Sequence, residues 1–137
     1  MAHRLPDDAA TWAMAWRDRL DDDDAFADVA DGFDAEFLFE IQPDETYDGE
    51  PVRFLVVFDD GSVPDARGAD GDTDYDFALA GPYDAWKALL TDDLGIAEAV
   101  MGGPLDVDGS KLTLMSYREA FSRMVDVARR VDTEFTY

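Results

Sequence analysis

Three stretches between residues 35 and 79 alternate apolar and polar side chains, whereas the segments before and after them repeat their apolar positions every three to four residues. Alternation sends successive side chains to opposite faces of a strand, and the longer period gives a helix with one apolar stripe. In the first stretch Ala35, Phe37, Phe39 and Ile41 face one way and Glu36, Leu38 and Glu40 the other. In the second, residues 52–58, a face is shared by Val52, Phe54, Val56 and Phe58. Asp59, Asp60, Gly61 and Ser62 then supply a hairpin turn into a polar strand over 63–69, expected at a sheet edge. The third stretch sets Tyr75, Phe77 and Leu79 inward and Asp74, Asp76 and Ala78 outward. Polar turns at 43–49 and 69–72 join these strands, which read as a four-stranded meander. Each strand has one apolar face to bury, and the flanking helices are there to cover it.

Asp7 or Asp8 caps the first helix, whose stripe is Ala9, Trp12, Ala13, Trp16 and Leu20. The aspartate run 21–24 reads as a solvated junction, after which a short helix turns Phe26, Val29 and Ala30 inward and closes at Gly32. Beyond the strands, Gly81 and Pro82 start a helix with Tyr83, Trp86, Leu89 and Leu90 on its stripe. A short helix over 94–101 buries Ile96, Ala97, Val100 and Met101, then breaks at Gly102, Gly103 and Pro104. Leu105 and Val107 alternate with Asp106 and Asp108 in a brief fifth strand that ends at Gly109. The last helix, 117–131, carries Tyr117, Ala120, Phe121, Met124, Val125, Ala128 and Val131 on one face, with Arg118, Arg123, Arg129 and Arg130 off it. The expected architecture is a single α+β domain over 1–137, a five-stranded and mostly antiparallel sheet with helices on one face.

Charge decides which partners are open to such a domain. With 33 Asp and Glu against 11 Lys and Arg the formal charge is −22, which repels phosphate backbones and excludes a nucleic-acid partner. Of the acids 26 are Asp, and of the bases all but Lys87 and Lys111 are Arg, a skew that resembles the proteins of salt-accumulating halophiles. The Debye length is about 8 Å in physiological salt and about 3 Å at molar salt, so this chain is expected to need salt to stay folded. At 47% hydrophobic residues it still has the material for a core. No Cys is present, so no disulfide or thiolate site can form. Residues 1–8 hold no apolar signal core and no run is long enough to span a bilayer, so a cytoplasmic location is expected.

Chemistry-bearing motifs are few. His3 is the only His and sits near the end of the chain, so neither a Ser-His-Asp triad nor a His-ligated metal site is expected. Neither G-x-G-x-x-G nor a P-loop occurs, and no cofactor is expected. Asp70, Asp72, Asp74 and Asp76 have the spacing of a calcium loop, but Tyr75 stands where Gly is needed and Gly81 where Glu is needed, so they read as solvent-facing carboxylates. What stands out is a large aromatic and Met-rich interior: Phe33, Phe37, Phe39, Phe54, Phe58 and Phe77, then Trp86, Met101, Met115, Phe121 and Met124.

Within 83–109, the face of Trp86, Leu89 and Leu90, then Ile96, Ala97 and Val100, then the run Gly102-Gly103-Pro104-Leu105-Asp106-Val107-Asp108-Gly109 resembles the sterol carrier protein type 2 family. The order of elements from Trp12 to Val131 resembles that family too. The resemblance implies a helix-covered sheet with an apolar tunnel that holds a lipid or acyl chain, and no covalent chemistry. It carries over Phe77 and Leu79, Trp86 and Leu90, Ile96, Val100 and Met101, and Leu105 and Val107 as lining positions. Alternation and helical period add Phe37, Phe39, Phe54, Val56 and Phe58, and Phe121, Met124 and Val125. The expected function is lipid binding and transfer, with an apolar small molecule as partner and transient membrane contact. Two other readings stand beside it: presentation of an isoprenoid or quinone intermediate to other enzymes, and a small cyclase or isomerase using Asp76, Glu40 or Tyr75 as acid or base. The ending Glu134-Phe135-Thr136-Tyr137 is no peroxisomal signal.

Overall fold

The computed structural model describes residues 2–101 and 103–137; Met1, and Gly102 of the predicted helix break, lie outside the described residues. In chain order the elements are β1 (His3–Leu5), α1 (Ala9–Asp21), α2 (Asp24–Val29), β2 (Asp34–Gln42), β3 (Val52–Asp59), β4 (Ser62–Ala69) and β5 (Phe77–Pro82). There follow α3 (Tyr83–Leu90), α4 (Ile96–Val100), β6 (Asp106–Asp108), α5 (Lys111–Ser116), α6 (Arg118–Ala128) and β7 (Thr133–Phe135).

The five-stranded sheet has the order β4-β3-β2-β5-β6, so β4 is an edge as expected. The strands do not form a meander. β5 runs parallel to β2, with Phe37 beside Phe77 and Phe39 beside Leu79, while the other three pairings are antiparallel. Alternation specifies which face a residue takes but not which strand lies beside it, and the loop between β4 and β5 is long enough to carry the chain back across. β1 and β7 pair as a separate parallel ribbon that ties the two ends of the chain together.

One face of the sheet carries Phe37, Phe39, Phe54, Val56, Phe58 and Leu79, all buried, and the helices lie on it. Trp12 and Trp16 of α1 meet Phe54 and Phe39 edge-on, with centroids 5.8 and 5.1 Å apart. The aspartate junction is more than a solvated turn. Asp23 caps α2 by accepting from Ala25 N–H and also accepts from both Nε and a terminal nitrogen of Arg123 at 2.8 and 3.2 Å, joining α2 to α6. Asp21 accepts from Val63 N–H at 3.0 Å and so fixes the start of β4.

Three predictions of side-chain placement and one of helix bounds fail. Tyr75 is 39% exposed: β5 starts only at Phe77, so Tyr75 and Asp74 belong to a loop in which strand alternation does not operate. The predicted helix 94–101 shrinks to the five residues of α4, which bury Ala99, leave Ile96 and Val100 half-buried, expose Ala97 and leave Met101 83% exposed. Met115, expected inside, is 65% exposed because it belongs to α5, a helix with no buried residue that the sequence pattern does not announce. The last helix starts at Arg118 and ends at Ala128 rather than spanning 117–131.

Two glycines fix the segment around β6. A Cβ on Gly81 would collide with the Leu105 side chain and come within 3.0 Å of the Pro104 carbonyl, so only Gly lets that segment cross over β5. Gly109 has φ +127° and a Cβ there would stand 2.5 Å from Phe77 Cδ1.

Candidate functional site

The interior between sheet and helices contains a cavity of about 30 Å³, walled by apolar side chains from β1, α1, the inner sheet face, α3 and α6. Three tryptophans dominate it, and each indole N–H is engaged at the wall: Trp12 donates to Thr133 Oγ1 at 2.8 Å, Trp16 to the Met124 carbonyl at 3.0 Å and Trp86 to the Glu40 carbonyl at 2.9 Å. The cavity therefore faces carbon, and no titratable side chain lines it. A space of this size holds about two waters, and an apolar one stays dry. Ligand pockets for small molecules run to about 300–1,000 Å³.

A second space lies outside this one. An open groove, with adjoining stretches of about 510 and 660 Å³, runs between α4, β6, α5 and the start of α6. Val100, Met101, Val107, Leu114 and Met115 border both stretches. Phe121 lines both the groove and the inner cavity, and no other side chain is common to the two. That ring packs against Phe37 with centroids 5.3 Å apart and is itself only half-buried.

The predicted lining residues divide between these spaces. Phe39, Phe54, Leu79, Trp86, Leu90 and Phe121, with Met124 and Val125, line the inner cavity. Ile96, Val100, Met101, Leu105 and Val107 line the groove. Phe37, Val56, Phe58 and Phe77 line neither: Phe37 stacks between Phe39 and Phe77 at 4.7 and 5.7 Å, and Phe58 is held by Phe26 and Phe33. Phe58 and Phe77 thus pack around Phe33 near α2, while Phe37 backs the cavity wall through Phe39 and Phe121. Sequence reasoning did not assign Leu5, Trp12 and Trp16 to the cavity or Leu114 and Lys111 to the groove. The stripe of α1 was legible, but nothing local says that it caps the same space as α6. Ser110, whose side chain accepts from Thr113 N–H, was the available signal for α5.

The carboxylates considered as acid or base lie elsewhere. Glu40 sits on the outer sheet face, 2.6 Å from Arg53 Nε. Tyr75 folds over the same face and donates to Asp108 Oδ2 at 2.5 Å, a bond that raises its phenol above its ordinary range. Asp76 accepts from Glu36 N–H at 2.8 Å. None of the three borders the cavity or the apolar groove. Asp70 closes its own loop, accepting from Asp72 N–H and from Thr73. Among the described residues no group of three His, Cys, Asp or Glu side chains could hold a metal ion, and no helix is long and apolar enough to cross a membrane.

Residues 16–122, which contain most of the sheet, both spaces' shared ring and the Gly81–Leu105 crossing, match the SCP-2 sterol transfer family. The chain belongs to that family. A crystal structure of sterol carrier protein 2 matches with TM-score 0.82 and 23% identity over 89% of this chain and 96% of that one. The solution structure of the conserved hypothetical protein TT1886 from Thermus thermophilus gives a TM-score of 0.80 at 24% identity over 90% of this chain and 88% of its own. The ubiquinone synthesis protein UbiJ-SCP2 matches with TM-score 0.53 and 16% identity, over 86% of this chain and 88% of its own. At these identities the likeness is one of fold. No curated protein sequence matches the chain. The fold class expected from sequence is the one observed.

Proposed function

We propose that this member of the family binds and carries a lipid with an acyl or isoprenoid chain, without covalent chemistry, as a single cytoplasmic domain. The observation that carries the reading is the shared Phe121 ring: an apolar groove open to solvent and an apolar cavity have this half-buried side chain in common. A chain lying in the groove reaches the cavity when that ring turns aside. Burying about 16 methylenes yields roughly 12 kcal/mol gross, against roughly 4 to 15 kcal/mol for lost freedom, so the net affinity is modest and suits release as well as capture. Met101 and Met115 give the groove a wall that repacks around different chains. A second reading, presentation of a quinone precursor to other enzymes, draws support from the fold it shares with UbiJ-SCP2.

The test is mass spectrometry of the organic extract of protein purified in molar KCl, together with uptake of a pyrene-labelled fatty acid. A stoichiometric lipid in the extract, or saturable uptake, that is lost in Leu114→Asp with native circular dichroism supports carriage. An empty extract with no uptake overturns it. Recovery of a prenylated quinone precursor rather than a mixture of lipids selects the second reading.

A further inference from the structure

Residues 109–118 are ten positions without a carboxylate, the longest such run in a chain where acids are 33 of 137 residues. They contain Lys111 and Arg118, and neither makes an ion pair among the described residues. The same run forms α5, which buries no residue. Leu112 and Met115, three positions apart on that helix, are 80% and 65% exposed, and Met101 at the end of α4 is 83% exposed. These are half of the six large apolar side chains that stand exposed on the molecule's described surface, and Met101 and Met115 border the same groove. The helix holds to the core through half-buried Leu114 alone among its apolar side chains, which leaves Leu112 and Met115 available to an apolar phase.

We propose that the α5 face, with Met101 beside it, docks on a lipid bilayer bearing anionic head groups, so that the mouth of the groove opens onto the membrane. The proposal rests on the lipid-carrying reading of that groove. Charge selects both the partner and the orientation. The chain carries three acids for every base and its other faces are repelled by an anionic surface. Asp106 and Glu119 also border the groove, which brings its mouth close to neutrality with Lys111 and Arg118, while α5 itself carries Lys111 and no carboxylate, with Arg118 two residues beyond its end. An anionic bilayer therefore meets the protein at this face, where Lys111 and Arg118 reach head groups and Leu112 and Met115 enter the interface. A lipid then passes from bilayer to groove along Met101 and Met115 without crossing water.

The experiment is co-sedimentation of the full chain with vesicles of phosphatidylglycerol and, separately, of phosphatidylcholine, at the lowest KCl concentration that preserves native circular dichroism. Uptake of the pyrene-labelled fatty acid is measured on the same samples without vesicles. Leu112 does not border the groove, so Leu112→Asp is expected to leave uptake unchanged and to weaken vesicle binding at least about tenfold. Lys111→Glu combined with Arg118→Glu is expected to abolish the preference for phosphatidylglycerol. Met14→Asp, at an exposed Met of α1, is expected to change neither. Undiminished vesicle binding by Leu112→Asp, or no binding by the wild type, overturns the docking face, and intact uptake in that case leaves carriage standing. Loss of uptake with Leu112-dependent vesicle binding retained overturns carriage instead. Concentration-dependent dimerisation without vesicles, removed by Leu112→Asp and not accompanied by vesicle binding, overturns the membrane and assigns the face to a second copy.

Discussion

Apolar side chains do opposite things at the two ends of this molecule. Around α1, β2 and β3, Trp12, Trp16, Phe39 and Phe54 contact one another with centroids 5.1 to 6.4 Å apart, and all four are buried. Around α4, β6 and α5, Met101, Leu112 and Met115 face solvent, and the three elements are three to six residues long. The first region has spent its apolar surface on the fold, whereas the second holds its apolar surface in reserve. A lipid carrier needs both, since a site that closes completely without ligand has no binding surface left, and a site that stays open needs a rigid frame to hold it.

Removing salt is expected to have the largest effect and to expose the comparison most directly. On transfer from molar KCl to dilute buffer, repulsion among the carboxylates of a chain with formal charge −22 is no longer screened, and circular dichroism is expected to show loss of the whole fold. Hydrogen exchange along the way is expected to show α4 and α5 opening first and β2, β3 and β5 last. Simultaneous opening of both regions at every salt concentration would show that the open end is as firmly integrated as the packed one, and the contrast would fail.

Trp16→Ala addresses the packed region alone. Trp16 is buried, donates to the Met124 carbonyl and touches Trp12, Phe39 and Phe54, so truncation leaves a cavity and an unpaired acceptor. A loss of about 3–5 kcal/mol in denaturant unfolding is expected. A loss of under about 1 kcal/mol would mean that α1 is not the frame of the site.

Gly109→Ala tests the seam between the regions. The positive φ and the approach to Phe77 make Ala costly there, by about 1–3 kcal/mol. Because Gly109 separates β6 from α5, the variant is also expected to weaken uptake of the labelled fatty acid more than its stability loss alone accounts for. Uptake that tracks stability would show that the seam does not set the shape of the groove.

The same contrast explains what could be read from the sequence. Where a strand is long and its alternation strict, as in β2 and β3, the inward face follows directly: Phe37, Phe39, Phe54, Val56 and Phe58 are buried as expected, but Leu38, which alternation sets on the opposite face, is buried as well. The parallel neighbourhood of β2 and β5 did not follow, because alternation carries no information about partners. β1, β7 and α4 are three to five residues long, below the length at which periodicity separates a strand or helix from chance. Met101 and Met115 were expected inside because apolar residues usually are; that expectation fails where the fold leaves a face open. Burial in the packed region was thus largely legible, but not which buried residues border the cavity: Leu5, Trp12 and Trp16 border it unassigned, while Phe37, Val56, Phe58 and Phe77 were assigned and border neither space.

Acid gives the smallest expected effect, and it asks whether the two regions are coupled. The Arg123 guanidinium hydrogen-bonds the Asp23 carboxylate and, against the opposing effect of burial, holds its pKa below the usual carboxylate range. A carboxyl whose folded pKa is depressed stabilises the fold above its unfolded pKa, and that contribution disappears as pH falls through the folded value. Asp23→Asn is therefore expected to lower Tm by a few degrees at neutral pH and to converge with the wild type once the Asp23 carboxyl is protonated in both the folded and the unfolded chain. The pair joins α2 in the packed region to α6, and Phe121 stands two residues before Arg123 on that helix. If the packed frame holds the groove in shape, Asp23→Asn also weakens fatty-acid uptake at neutral pH, and the difference fades in acid along with the difference in Tm. Unchanged uptake across that range would mean that the groove keeps its shape through α4, β6 and α5 alone, and the reserve of apolar surface would then be independent of the frame that carries it.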